Sequence, residues 1–126
     1  MLSENSFSKW VCESAKKMGY IPQRLEVTTG AGIPDLVLMG EGRTIWLELK
    51  WETRFIRAEQ YVWLRRIRQE KIPSGVLVGE NDRIMLYSVD EAEPFPKTKR
   101  YKVRHELGSF PRTLAGFHSF LLLTPL

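Results

Sequence analysis

The sequence predicts a small α/β domain: a mixed β-sheet flanked by helices, in the order α-β-β-β-α-β-β with one further C-terminal element. Three observations carry this prediction. The chain opens on a stretch with helical spacing, in which Phe7, Val11, Ala15 and Met18 share one face. Residues 44 to 50 alternate, sending Ile45, Leu47 and Leu49 to one side and Trp46, Glu48 and Lys50 to the other. A second helical stripe, Ile56, Trp63, Leu64 and Ile67, lies between that strand and two short apolar runs. Helices interleaved with strands imply a sheet that buries its faces under helices.

Each element has a local cause. Ser3 can cap a helix from Glu4 to about Met18, and Gly19 ends it. On that helix Glu4 falls within the apolar stripe, whereas Glu13 lies opposite with Lys9 and Lys16 nearby. Glu4 is therefore the glutamate expected to face the protein body. Tyr20 to Val27 reads as a strand that Pro22 confines to an edge or an irregular position. Residues 28–32 form a flexible connection. Pro34-Asp35 opens a second strand, Leu36 to Met39, and Gly40-Glu41-Gly42 turns the chain into the strand at 44–50.

The second helix covers Ala58 to Glu70, with Gln60 in the middle of its apolar stripe and Arg65, Arg66, Arg68 and Gln69 on its outer face. Val76 to Val78 and Ile84 to Tyr87 make short strands around an Asn81-Asp82 turn. Glu91 to Pro96 reads as a polar loop. A basic run follows: Lys97, Lys99, Arg100, Lys102 and Arg104, with Tyr101 interleaved. Thr113 to Leu123 places Leu114, Phe117 and Leu121 on one helical face, a pattern that leaves helix and strand both open. Phe117, Phe120, Leu121 and Leu122 suit core packing better than a dimer interface.

A chain of 126 residues, 43% hydrophobic, fits one domain over 1–126, with a core of about 4–90 and a C-terminal extension at 91–126. Apolar runs such as Phe120 to Leu123 fall far short of a membrane span. The start, Met1-Leu2-Ser3-Glu4-Asn5, lacks the features of a signal peptide. Cys12 stands alone, which excludes an intrachain disulfide and a multi-cysteine metal site. The expected location is a reducing cytoplasm, that of a bacterial host or a phage-infected cell. Net charge is +4, unevenly spread: residues 51–71 carry +3 and 97–126 carry +5, around a segment at 72–96 that carries −4. Segregated basic segments suit a phosphate backbone. The candidate DNA contacts are Arg54, Arg57, Arg65, Lys97, Lys99, Arg100, Lys102 and Arg104.

The chemistry concentrates on Asp35, Glu48 and Lys50. If the two strands pair through the Gly40-Glu41-Gly42 turn, Asp35 and Glu48 meet at one end of the hairpin. Two adjacent carboxylates repel, and a divalent cation relieves the conflict; carboxylates are the hard oxygen ligands that Mg²⁺ prefers. Lys50 beside them adds a positive charge suited to a phosphate oxygen or an attacking water. Glu4 and Gln60 are polar groups on inward faces. A buried polar group without a partner costs roughly 1–3 kcal/mol, so both need a partner; this site is an economical candidate, and a nearby backbone group is the alternative for Gln60.

Gly32-Ile33-Pro34-Asp35 followed by Glu48-Leu49-Lys50 resembles the signature of the PD-(D/E)XK nuclease superfamily. With Glu4 on the first helix, Gln60 on the next and the Gly75-Val76-Leu77-Val78 strand beyond, the order is similar to the small VRR-NUC branch. The resemblance covers residues 4 to 79; the C-terminal third matches no family. It implies a restriction-endonuclease-like fold and metal-dependent hydrolysis of DNA phosphodiesters, leaving 5′-phosphate and 3′-hydroxyl ends. It also implies roles. Asp35, Glu48 and the Leu49 carbonyl would hold Mg²⁺ or Mn²⁺, and Glu4 would support a second metal or position the first through water. Lys50 would orient the attacking water, and Gln60 would bond near the lysine or the scissile phosphate.

Three readings stay open. The first is a structure-selective endonuclease of phage or bacterial DNA replication, repair and recombination, with branched or flapped DNA as substrate. The second is a Holliday-junction resolvase, for which a homodimer follows from the need to cut two strands. The third is a non-catalytic DNA-binding module on a nuclease fold. No membrane partner is expected.

Overall fold

The computed structural model describes residues 3–25, 32–89 and 97–123. Val27, the connection at 28–31 and the loop at 91–96 lie outside the described residues. The elements are α1 (Glu4–Lys17), β1 (Ile21–Arg24), β2 (Leu36–Gly40), β3 (Arg43–Trp51), β4 (Phe55–Arg57), α2 (Ala58–Gln69), β5 (Ser74–Gly79), β6 (Arg83–Ser88), β7 (Arg100–Lys102), β8 (His105–Pro111) and α3 (Leu114–Leu123).

Local chemistry accounts for the boundaries. The Ser6 amide donates to the Ser3 hydroxyl at 3.2 Å, which caps α1, and Gly19 ends it at φ +83°. Glu41 and Gly42 both adopt positive φ, 51° and 72°, as a two-residue type I′ hairpin turn requires. That turn fixes the β2–β3 register, with Gly40 opposite Arg43 and Leu36 opposite Leu47.

Six strands form the main sheet in the order β1-β2-β3-β5-β6-β8. Among the described residues only the β3–β5 pair is parallel, and α2 lies on the connection between them. Pro22 sits on the edge strand, where a missing N–H is tolerated. One sheet face buries Leu36, Leu38, Ile45, Leu47, Leu49, Leu77 and Leu86 against Phe7, Val11 and Ala15 of α1 and Phe117, Phe120 and Leu121 of α3. The other buries Val76, Val78, Met85 and Tyr87 against Tyr61 and Leu64 of α2, together with Ile56, Tyr101 and Val103. No helix among the described residues is long and apolar enough to cross a membrane.

Several expectations need correction. Ile56 belongs to β4, not to the second helix, and Tyr61 fills the deep position while Trp63 is half-buried and stacks on Trp46 with centroids 5.8 Å apart. Part of the basic run is a strand: β7 pairs with β4, Ile56 opposite Tyr101, because both side chains fill the second core. The segment His105–Pro111 pairs with β6 despite its Gly and Pro. The tail is helical. Phe117, Phe120 and Leu121 enter the core, and Leu122 is exposed.

Gly32 holds a special place. Its φ is +78°, and a Cβ there would lie 2.3 Å from the Glu59 carbonyl oxygen in the first turn of α2. The backbone before Asp35 therefore rests directly on the helix that carries Gln60. Gly42 shares a positive φ but has nothing within 4 Å of that point. Gly42→Ala is expected to cost roughly 1–2 kcal/mol for the left-handed backbone alone. Gly32→Ala adds a backbone collision and should lower the melting temperature by roughly 10 °C or more. Equal melting temperatures for the two variants would show that the 32–35 segment does not lean on α2.

Candidate active site

The site forms where β2 begins and β3 runs on past it. β2 starts at Leu36, opposite Leu47, so the Leu49 amide has no backbone partner on that strand. The Asp35 carboxylate takes its place, with Oδ2 accepting from the Leu49 N–H at 3.0 Å. In a paired strand the N–H and C=O of one residue point to the same side. The Leu49 carbonyl therefore opens towards the same edge as Asp35.

Glu48, the preceding residue, projects from the opposite sheet face and is 1% exposed. Its Oε2 accepts from Gln60 Nε2 at 2.6 Å and lies 3.6 Å from Lys50 Nζ. Gln60 in turn accepts at Oε1 from the Arg57 amide, 2.8 Å away, which is the reverse half of a capping box. Arg57 offers no side-chain acceptor, so only that half operates. The amide placed among apolar neighbours on α2 thus finds its partner in the site, as its burial requires.

Glu48 Oε1 is buried without a hydrogen-bond partner. Burial pushes the Glu48 carboxyl up to about 8, the Asp35 charge adds to this and Lys50 opposes it; a hydrogen bond that the protonated carboxyl can make to Asp35, and the Glu4 charge, raise it further. A buried carboxylate with one unused oxygen beside a second acid is an electrostatic conflict that a cation would resolve. No three His, Cys, Asp or Glu side chains among the described residues form a metal cage. Mg²⁺ does not demand one, because it usually keeps several waters and takes one or two carboxylates. Asp35, Glu48 and the Leu49 carbonyl are hard oxygen donors of that kind, so these residues fit the ion.

Glu4 departs from expectation in one respect. It is exposed, not buried. It nevertheless lines an open cleft of about 180 Å³ with Asn5, Ser8, Arg24, Asp35 and Leu49. Ser8 and Arg24 were not singled out from the sequence. Ser8 stands one helical turn from Glu4 on the same face, which is the signal that could have found it.

The raised Glu48 carboxyl has a consequence for stability. The folded chain holds this proton up to about pH 8, whereas the unfolded chain releases it near the ordinary 4.5. Between those values the folded state binds more protons, so stability falls as pH rises, by on the order of 4 kcal/mol across the window. Urea denaturation in EDTA should therefore give lower stability at pH 8.5 than at pH 5, and Glu48→Gln should flatten the dependence. An unchanged slope in that variant would assign the effect elsewhere.

The fold draws several basic candidates together. Arg54, Arg57, Lys99, Arg100 and Arg104 are exposed on or beside the β4–β7 ribbon, Lys102 is half-buried there, and Lys97 is exposed just before it. Arg65 on α2 is half-buried, with its Nε inside the protein. The aromatic at the centre of this basic surface, Phe55, was not picked out from the sequence. Its position between Arg54 and Arg57 was the available signal.

No family model and no curated protein matches the chain. Among solved structures, it is similar to Hjc, a Holliday junction resolvase from the archaeal hyperthermophile Archaeoglobus fulgidus. The TM-score is 0.57 at 16% identity, over 79% of this chain and 83% of that one. The likeness is one of fold: a central mixed sheet flanked by helices, restriction-endonuclease-like as the sequence predicts.

Proposed function

We propose that this chain is a divalent-metal-dependent DNA endonuclease of the PD-(D/E)XK type, in its VRR-NUC branch. Its substrate is branched or flapped DNA in bacterial or phage replication, repair or recombination. The observation that carries this reading is the Asp35 carboxylate held on the Leu49 amide, one residue along from the buried Glu48, with Lys50 Nζ 3.6 Å from Glu48 Oε2. Asp35, Glu48 and the Leu49 carbonyl would hold Mg²⁺ or Mn²⁺. The bound ion supplies a polarised phosphoryl oxygen and a water of lowered pKa. Lys50 presents its ammonium to the phosphate or the attacking water. Gln60 fixes the orientation of Glu48, and Glu4 stands at the open rim of the cleft.

A second reading, a Holliday-junction resolvase, is favoured by the fold shared with the archaeal resolvase. It requires a homodimer, since two strands are cut from two sites. The deciding experiment is a panel of single-stranded, duplex, flap, splayed-arm and four-way-junction DNA with Mg²⁺, Mn²⁺ or EDTA. Metal-dependent cleavage of branched substrates supports the endonuclease, and paired symmetric cuts in the four-way junction support the resolvase. Binding without cleavage under every metal would leave only a DNA-binding module.

A further inference from the structure

The β4–β7 ribbon turns one side inward and one outward. Ile56 and Tyr101 face the second core, and Phe55, Arg57, Arg100 and Lys102 occupy the alternate positions. Those four carry three cations, one ring and no acid. The register is held at both ends, by the Val103 amide on the Arg54 carbonyl and the Ala58 amide on the Lys99 carbonyl, each at 2.9 Å. These two bonds extend the three-residue pairing at both of its ends.

Phe55 is 39% exposed, and nothing in the core uses its ring. The Arg100 guanidinium lies 4.2 Å from its centroid, and Lys102 Nζ lies at 6.0 Å. An exposed ring flanked by cations matches the elements that bind single-stranded nucleic acid: an aromatic on which a base stacks, beside positive charge that follows the backbone. The ribbon is also wired to the acids. The Arg57 amide bonds Gln60, and Gln60 bonds Glu48.

From this juxtaposition we infer that the ribbon is the substrate-selecting element of the site, and that Phe55 stacks on an unpaired base next to the cleaved strand. The inference rests on the endonuclease reading and narrows its substrate to DNA with unpaired nucleotides at a branch. Within a closed duplex both faces of each base are already stacked, so the ring gains nothing there. The cations serve duplex and single strand alike.

The test measures binding of splayed-arm, flap and fully paired duplex DNA, with Ca²⁺ in place of Mg²⁺, for the wild-type chain, Phe55→Leu, Phe55→Trp and Lys102→Glu. Cleavage of the same DNAs with Mg²⁺ is scored alongside. Phe55→Leu should lower affinity for splayed-arm and flap DNA about tenfold more than for duplex. Phe55→Trp should keep the wild-type preference. Lys102→Glu should weaken all three DNAs together and reduce the salt slope by about 0.7–0.9. An equal loss on duplex and splayed-arm DNA in Phe55→Leu, or no loss, would overturn the inference while wild-type cleavage keeps the endonuclease reading intact. A wild-type chain that neither binds nor cuts any of the DNAs overturns both.

Discussion

Asp35→Asn is expected to reduce DNA cleavage at least about 100-fold while leaving fold and DNA binding near wild type. Asparagine is the informative replacement. Its amide oxygen can still accept from the Leu49 N–H, now bonded to Asp35 Oδ2 at 3.0 Å, so the start of β2 stays tied to β3. What disappears is the negative charge and a hard oxygen donor. Alanine would remove both the ligand and the tie, and a slow variant could then be read as a local fold defect. Glu48→Gln is the companion. It should be equally inactive, yet more stable than the wild type at pH 8 in EDTA, because it removes a carboxyl that burial drives up to about 8. Loss of activity with gain of stability is the signature of a residue kept for chemistry. Near-wild-type cleavage by Asp35→Asn, measured at saturating Mg²⁺, would sink the assignment.

The residues behind that prediction were legible because two simple periods govern them. Alternation along 44–50 separates Glu48 and Lys50 from the apolar face, and the Gly-containing turn brings Asp35 back to the Leu49 amide next to Glu48. Gln60 was legible as a conflict, an amide in an apolar stripe, and the structure resolves it with a 2.6 Å bond to Glu48. The failures have a different physics. β4 and β7 are three residues each, too short for any period, and they exist because Ile56 and Tyr101, 45 residues apart in sequence, pair and fill one core. β8 contains Gly108 and Pro111 and has little strand propensity of its own. It is held by the edge of β6, an override of local preference by tertiary pairing. The C-terminal stretch showed a helical face but too few turns to decide. The packing of Phe117 and Phe120 beneath the sheet is what settles it as α3. Glu4 lines the cleft beside Asp35 yet is exposed, because a helical wheel reports a face and not the depth at which a residue lies.

Lys50→Met should lower cleavage at least about 100-fold relative to the wild type, and the pH dependence of what remains should reveal how the lysine acts. Lys50 Nζ lies 3.6 Å from Glu48 Oε2 with its side chain 16% exposed, so it faces both the buried acid and the solvent edge where a phosphate would arrive. Two roles follow from that position. As a charge stabiliser it acts on the phosphate or the water, and its loss cannot be repaired by pH. As a neighbour of Glu48 it opposes the rise of that carboxyl, so its removal should send Glu48 higher still and leave less of the ionised form at neutral pH. Methionine preserves the apolar stem and the packing while deleting the charge. A cleavage profile for Lys50→Met that stays flat and low from pH 7 to 9.5 assigns the lysine to the phosphate or water. Recovery to near the wild-type rate at high pH would show instead that Lys50 serves only to keep Glu48 ionised. Lys50→Arg separates the two further. It retains the charge that acts on Glu48, but a planar fork cannot reproduce a compact ammonium at the same point. Cleavage should then stay impaired while the stability of the EDTA-treated protein at pH 8 remains close to wild type.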